Sequence, residues 1–129
     1  VLDRTLSLDP QAYAIFDTSE APTWVFFASD TEAPAAYQAW ATQPQARLIP
    51  VAQNGLGFDL TAVLARLAEE GISSVFVEAG EGLVSRLDAE RLINKFYLFV
   101  SNHLLGDASA PGALGSRWVA RLKEARRLD

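Results

Sequence analysis

Apolar residues along the chain fall into two rhythms: short unbroken runs, and stretches in which they recur every three or four positions. The runs predict strands. Val1-Leu2, continuing through Asp3-Arg4-Thr5-Leu6 towards the Asp9-Pro10 stop, is a weak first one. Thr23–Ala28 is nearly all aromatic or β-branched and is bounded by Pro22 and Ser29-Asp30, which predicts a strand. A continuous apolar run of that length suits a strand covered on both faces, as in a parallel sheet. Ala46–Val51 and residues 74–78 and 96–101 predict three more.

The second rhythm predicts helices between the strands. Asp59 is placed as an N-cap, and Leu60, Val63, Leu64 and Leu67 follow at i, i+3, i+4, i+7 spacing, with Gly71 positioned to end the helix in the left-handed conformation. A shorter helix is expected over residues 33–41, with Asp30 as cap and Pro34 in the first turn. Another opens near Gly82 and runs to about Arg91. Residues 113–127 place Leu114, Trp118, Val119 and Leu122 on one stripe. Strands alternating with helices, without repeat or linker, predict one α/β domain with a largely parallel sheet flanked by helices. Trp24, Phe26, Phe27, Phe76 and Phe96 are expected in its core, and Asp3, Asp17 and Asp59 in turns and caps.

Composition narrows the function classes. At 129 residues, with half of them apolar and 21% charged, the chain has the balance of an ordinary globular domain. Net charge is −5, which disfavours nucleic-acid binding; the local exception, Arg117, Arg121, Lys123, Arg126 and Arg127, is read as a solvated helix face. No apolar run approaches the roughly 18 residues of a bilayer span and no leader opens the chain, so no membrane partner is expected. The absence of cysteine excludes disulfides and thiolate chemistry, and a single histidine excludes a multi-histidine metal site within one chain. A cytoplasmic setting fits this composition. With no methionine at all, the chain reads as a cut-out domain or one with an alternative start.

The segment with chemical content runs from Ser73 to Leu83. An apolar strand ends in Glu78, a turn carries Gly80 and Gly82, and a helix begins. In open α/β sheets, ligands bind beyond the carboxyl ends of strands, and a helix start offers free N–H groups to a phosphate. Glycines let the backbone approach such a ligand closely. A plain strand-to-helix turn needs glycine too, so the pattern admits both a ligand site and a structural turn. Ser85 stands where the third glycine of the dinucleotide fingerprint belongs. His103, after the last strand and lacking a partner, reads as a surface residue.

Several separated stretches resemble one family. Val1-Leu2-Asp3-Arg4-Thr5-Leu6 is similar to a strand in the reductase half of the bifunctional riboflavin-biosynthesis deaminase–reductases, and Thr23-Trp24-Val25-Phe26 to the strand after it. Residues 56–67 resemble the family's next helix, Ile72-Ser73-Ser74-Val75-Phe76-Val77-Glu78-Ala79-Gly80 its glutamate–glycine motif, and residues 96–106, with Leu104-Leu105-Gly106, its final stretch. The resemblance implies a dihydrofolate-reductase-like fold and a cytoplasmic, usually homodimeric enzyme. It also implies NADPH-dependent reduction of the ribosyl group of 5-amino-6-(5-phosphoribosylamino)uracil to ribityl. By position, Glu78 would contact that small-molecule substrate. Gly80, Glu81, Gly82, Leu83, Val84, Ser85 and Arg86 would form the NADPH loop, and Arg4 would lie near the cofactor. No metal is implied.

The family domain begins well upstream, so residues 1–129 are expected to be its C-terminal portion, with the deaminase domain absent. Glu81 replaces a small or proline residue, Asn94-Lys95 stand where Asp-Glu is usual, and the closing strand has no counterpart. Two rivals follow: a non-catalytic remnant of the fold serving dimerisation or partner binding, and a reductase of another pterin-like substrate.

Overall fold

In the computed structural model, Thr23–Ala28 form β1 and Ala46–Val51 form β2, paired in parallel with Val25 opposite Leu48 and Phe27 opposite Pro50. The structure describes residues 1–55 and 57–99, which divide between two units, Val1–Ser73 and Ser74–Asp129. Pro50 has no N–H to donate, a feature tolerated on β2 because, among the described residues, its ladder lies on one side only. Next to β1 on its other side runs the amino-terminal segment, in register through a parallel bridge between Leu2 and Phe26. The Val1 carbonyl accepts from Phe26 N at 2.9 Å, Asp3 N donates to the Phe26 carbonyl at 3.0 Å, and the Arg4 carbonyl accepts from Ala28 N at 3.0 Å. The weak first strand is thus a short parallel addition to β1.

Both faces of β1 are buried, as its unbroken apolar run requires. On one face, Val25 and Phe27 join Leu6, Phe16, Tyr37, Trp40 and Ala46 in the core cluster. Phe16 ends a 3-10 helix, Ala14–Phe16, while Tyr37 and Trp40 lie on α1, Ala35–Trp40. These three rings meet edge to face at centroid separations of 5.4 to 6.3 Å, the geometry their quadrupoles favour. Trp40 Nε1 donates to the Phe16 carbonyl at 2.8 Å, so its burial leaves no polar group unsatisfied. On the opposite face, Phe26, Ala28, Ile49 and Val51 are also buried.

A short hairpin follows β2: β3, Gln53–Asn54, pairs antiparallel with β4, Gly57–Phe58. It leads into α2, Leu60–Glu69, where Asp59 Oδ1 accepts from Ala62 N at 2.9 Å. The expected N-cap is therefore in place. Gly71, at φ +82°, closes the helix, with Ile72 N donating to the Leu67 carbonyl and Gly71 N to that of Ala68. Those two bonds define a Schellman ending. In the second unit, α3, Glu81–Ala89, ends in the same pair of bonds, Leu92 to Leu87 and Arg91 to Asp88. Here Arg91 takes the left-handed position at φ +56°.

Three expectations need correction. Asp30 does not cap α1, whose N-cap is Pro34; its Oδ1 instead accepts from Gln53 Nε2 at 2.8 Å, tying the hairpin to the loop after β1. Residues 74–78 form no ladder among the described residues, and Phe76 is 71% exposed rather than core. An apolar run becomes a buried strand only where neighbouring strands accept its backbone, and none of the described residues does so. Residues 96–99 likewise carry no ladder, and Phe76 instead meets Tyr97 at a ring separation of 6.3 Å. The predicted helix over 113–127 and His103 lie outside the described residues. Among the described residues, no helix is long and apolar enough to cross a membrane.

Candidate functional site

The glutamate–glycine segment leads straight into α3. Glu78 is exposed, Ala79 half-buried, and Gly80 occupies the N-cap with an ordinary extended backbone, φ −75° and ψ 173°. Gly80 has no side chain with which to cap the helix, so the early amides that an N-cap oxygen would normally hold are left to other acceptors. Val84 N donates to the Gly80 carbonyl at 3.2 Å, which starts the helical ladder. The positive end of the helix dipole therefore faces a bare glycine.

Neither Gly80 nor Gly82 is required by backbone geometry, since neither has a positive φ. A Cβ built at either position meets no atom within 4 Å. Their lack of side chains keeps the space in front of the helix start clear. That is what close approach of a phosphate needs. Glu81, exposed in the first turn, is favourable to the helix dipole but repels an anion seated there. Leu83 and Val84 are half-buried, and Ser85 Oγ is buried with no hydrogen-bond partner in the structure. Arg86 reaches along the helix to Glu90, Nη2 to Oε1 at 3.0 Å, an i,i+4 ion pair with both side chains largely covered. An uncapped start, two open glycines and an orphaned hydroxyl fit a phosphate-bearing cofactor. The Arg86 guanidinium, engaged by Glu90, fits the role of holding the helix more than of meeting the ligand.

Arg4 belongs to the first unit. It lies where two neighbouring parallel segments, the amino-terminal one and β1, reach their carboxyl ends. Its carbonyl is held by Ala28 N and by Thr31 Oγ1, at 3.0 and 3.3 Å, and the residue is exposed. The described ion pairs use Arg47, Arg66 and Arg86, not Arg4. Behind it, Asp3 is buried and its carboxylate accepts from Ser7 N, Ser7 Oγ, Leu8 N and the Tyr37 hydroxyl. Asp3 read as a turn residue from sequence; its link to Tyr37 carries no local signal.

No solved structure matches the chain. The family model described as the RibD C-terminal domain matches residues 1–128, running past the Leu104-Leu105-Gly106 stretch at which the recognisable motifs end. That family has a dihydrofolate-reductase-like α/β fold, in keeping with the parallel sheet and helices described above. The chain belongs to the RibD C-terminal domain family, the reductase domain of riboflavin-biosynthesis deaminase–reductases.

Proposed function

We propose that this chain binds NADPH and reduces the ribosyl group of 5-amino-6-(5-phosphoribosylamino)uracil to ribityl. The observation that carries this reading is the start of α3, an uncapped helix end behind two glycines that the backbone does not demand. Family membership supports a riboflavin-biosynthesis reductase; the particular reaction and cofactor are the proposal.

In this reading, the amides at Gly82 and Leu83 take the cofactor's phosphates, helped by the helix dipole. Bound at this helix start, NADPH would supply the hydride needed to reduce C1 of the opened sugar or its imine. The chain's own part is to bind and orient, which places two reactants at high effective concentration. Glu78, exposed two residues before the helix cap, is placed to accept hydrogen bonds from substrate hydroxyl or amino groups. Arg4 offers a cation at the carboxyl end of β1, the side on which open α/β sheets receive ligands.

A second reading has one observation in its favour. Val75, Phe76 and Val77 are 46, 71 and 43% exposed, and Phe99 is 90% exposed, an apolar surface of the kind that association covers. Homodimer formation accounts for it within the reductase reading. A non-catalytic remnant kept for self-association accounts for it without NADPH.

Calorimetric titration of the folded chain with NADPH, paired with sedimentation analysis, separates the two. Saturable binding and turnover of the ribosylaminouracil phosphate support the reductase. A dimer without binding at millimolar cofactor supports the remnant. Turnover of dihydrofolate in place of the ribosylaminouracil would transfer the site to a pterin-like substrate.

A further inference from the structure

We propose that Tyr37 and Asp3 are positioning residues for the cofactor site, acting through Arg4. This rests on the reading of the chain as an NADPH reductase with Arg4 at the cofactor.

Arg4 is an exposed residue of a turn held on either side by the buried Asp3 and Leu6. Immediately before it, Asp3 is 6% exposed; two residues after it, Leu6 is 4% exposed and sits at φ +53°, a conformation that non-glycine residues adopt only when held there. The holding group is the Asp3 carboxylate. Oδ1 accepts from Ser7 N at 3.1 Å and Oδ2 from Leu8 N at 3.0 Å, folding the chain back over Arg4. Oδ2 also accepts from the Tyr37 hydroxyl at 2.6 Å, the shortest of these bonds and a buried one. Tyr37 is itself 1% exposed and locked between Phe16 and Trp40. The aromatic core thus fixes the carboxylate, the carboxylate fixes the turn, and the turn fixes Arg4. On the other side, Ala28 N and Thr31 Oγ1 hold the Arg4 carbonyl against the end of β1. Neither Tyr37 nor Asp3 is exposed enough to touch a ligand. Their contribution is the place from which Arg4 acts, where a displacement of about 1 Å is enough to weaken a charged contact severely.

The test is a set of NADPH affinities and steady-state constants measured on the full chain. Tyr37→Phe keeps the ring and removes only the hydroxyl; Asp3→Asn keeps the shape and removes the charge. Asp59→Ala is the control, because it removes the N-cap bond of α2 and lowers stability without touching the clasp. Arg4→Ala should weaken NADPH by about tenfold, as loss of a charge-assisted contact does. Tyr37→Phe should raise KM for NADPH about fivefold with kcat kept, and the double variant with Arg4→Ala should show no further loss, since coupled residues are non-additive. Asp3→Asn should repeat this pattern, and Asp59→Ala should lower stability while leaving KM unchanged. If Arg4→Ala weakens binding but folded Tyr37→Phe and Asp3→Asn do not, the positioning role is overturned and the reductase reading stands. Equal KM changes in Asp59→Ala overturn it as well, as does an Arg4→Ala variant that binds like the wild type. A folded wild-type chain that takes up no NADPH removes both the inference and the reading beneath it.

Discussion

The Tyr37 hydroxyl donates a 2.6 Å hydrogen bond to Asp3 Oδ2 across a sequence separation of 34 residues, joining α1 to the turn beside β1 in the buried core. Hydrogen bonds to a charged acceptor contribute about 1.5–3 kcal/mol. Tyr37→Phe should therefore lower unfolding free energy by about 1.5–3 kcal/mol in chemical denaturation. Asp3→Ala should cost more, because it also strips Ser7 and Leu8 of their acceptor.

The same clasp sets a pH window. Burial opposes ionisation of Asp3, but the bonds from Tyr37, Leu8 and Ser7 together outweigh it and hold the carboxyl below the ordinary aspartate value of 3.8. A folded value lowered in this way contributes stability that is present above 3.8 and lost as pH falls through the folded value. Burial first, and the Asp3 carboxylate second, push the Tyr37 phenol well above its ordinary value of 10.0. That contribution is present below 10.0 and is lost as pH climbs towards the folded value. Stability against pH should fall at both ends, and Tyr37→Phe should flatten the alkaline limb.

Two helices end in the same bonded motif with different residues at its left-handed position. Gly71 adopts φ +82° in the first, Arg91 φ +56° in the second. Arg91→Gly should stabilise the chain by up to about 1 kcal/mol, and Gly71→Ala should destabilise it by about 1 kcal/mol. A Cβ at Gly71 meets no atom within 4 Å, so that loss reports backbone strain alone. Thermal unfolding of the two variants checks the opposite signs.

Asp59 and Asp30 looked alike as caps, yet only Asp59 bonds a helix amide. Asp59→Ala should cost about 1 kcal/mol of stability, as cap removal does. Asp30→Ala loses an exposed side-chain bond to Gln53 and should stay within about 0.5 kcal/mol.

What could be read from sequence was what local chemistry decides. The unbroken run Thr23–Ala28 required two covered faces, and Asp59 with Gly71 bracketed α2 almost to the residue. The opening of α3 after Gly80 was likewise visible in the glycine turn. Long-range pairing was not legible. Nothing near Tyr37 announces Asp3, and the run around Phe76 is apolar like β1 yet pairs with no strand among the described residues. The hairpin Gln53–Asn54 with Gly57–Phe58 went unpredicted although Asn54-Gly55 and Gly57 signal a turn, because its strands are too short to show alternation. At the site, the sequence placed Gly80 to Arg86 correctly at a helix start, but not the Glu90 partner that engages Arg86.

Glu81 and Gly82 offer opposite changes at one loop. Glu81→Gln removes a repelling charge from the proposed phosphate seat and should tighten NADPH, while weakening the helix by about 0.3–1 kcal/mol through the lost dipole interaction. Paired affinity and denaturation measurements should therefore move in opposite directions.

The most direct test is NADPH titration of wild type beside Gly82→Asp. The side chain has open space in the structure, since a Cβ at Gly82 meets no atom within 4 Å, so the variant should fold. Saturable binding by wild type and none by folded Gly82→Asp is the predicted result. Equal affinity in the two, or no uptake by folded wild type, would contradict the assignment of the α3 start as the cofactor's phosphate seat.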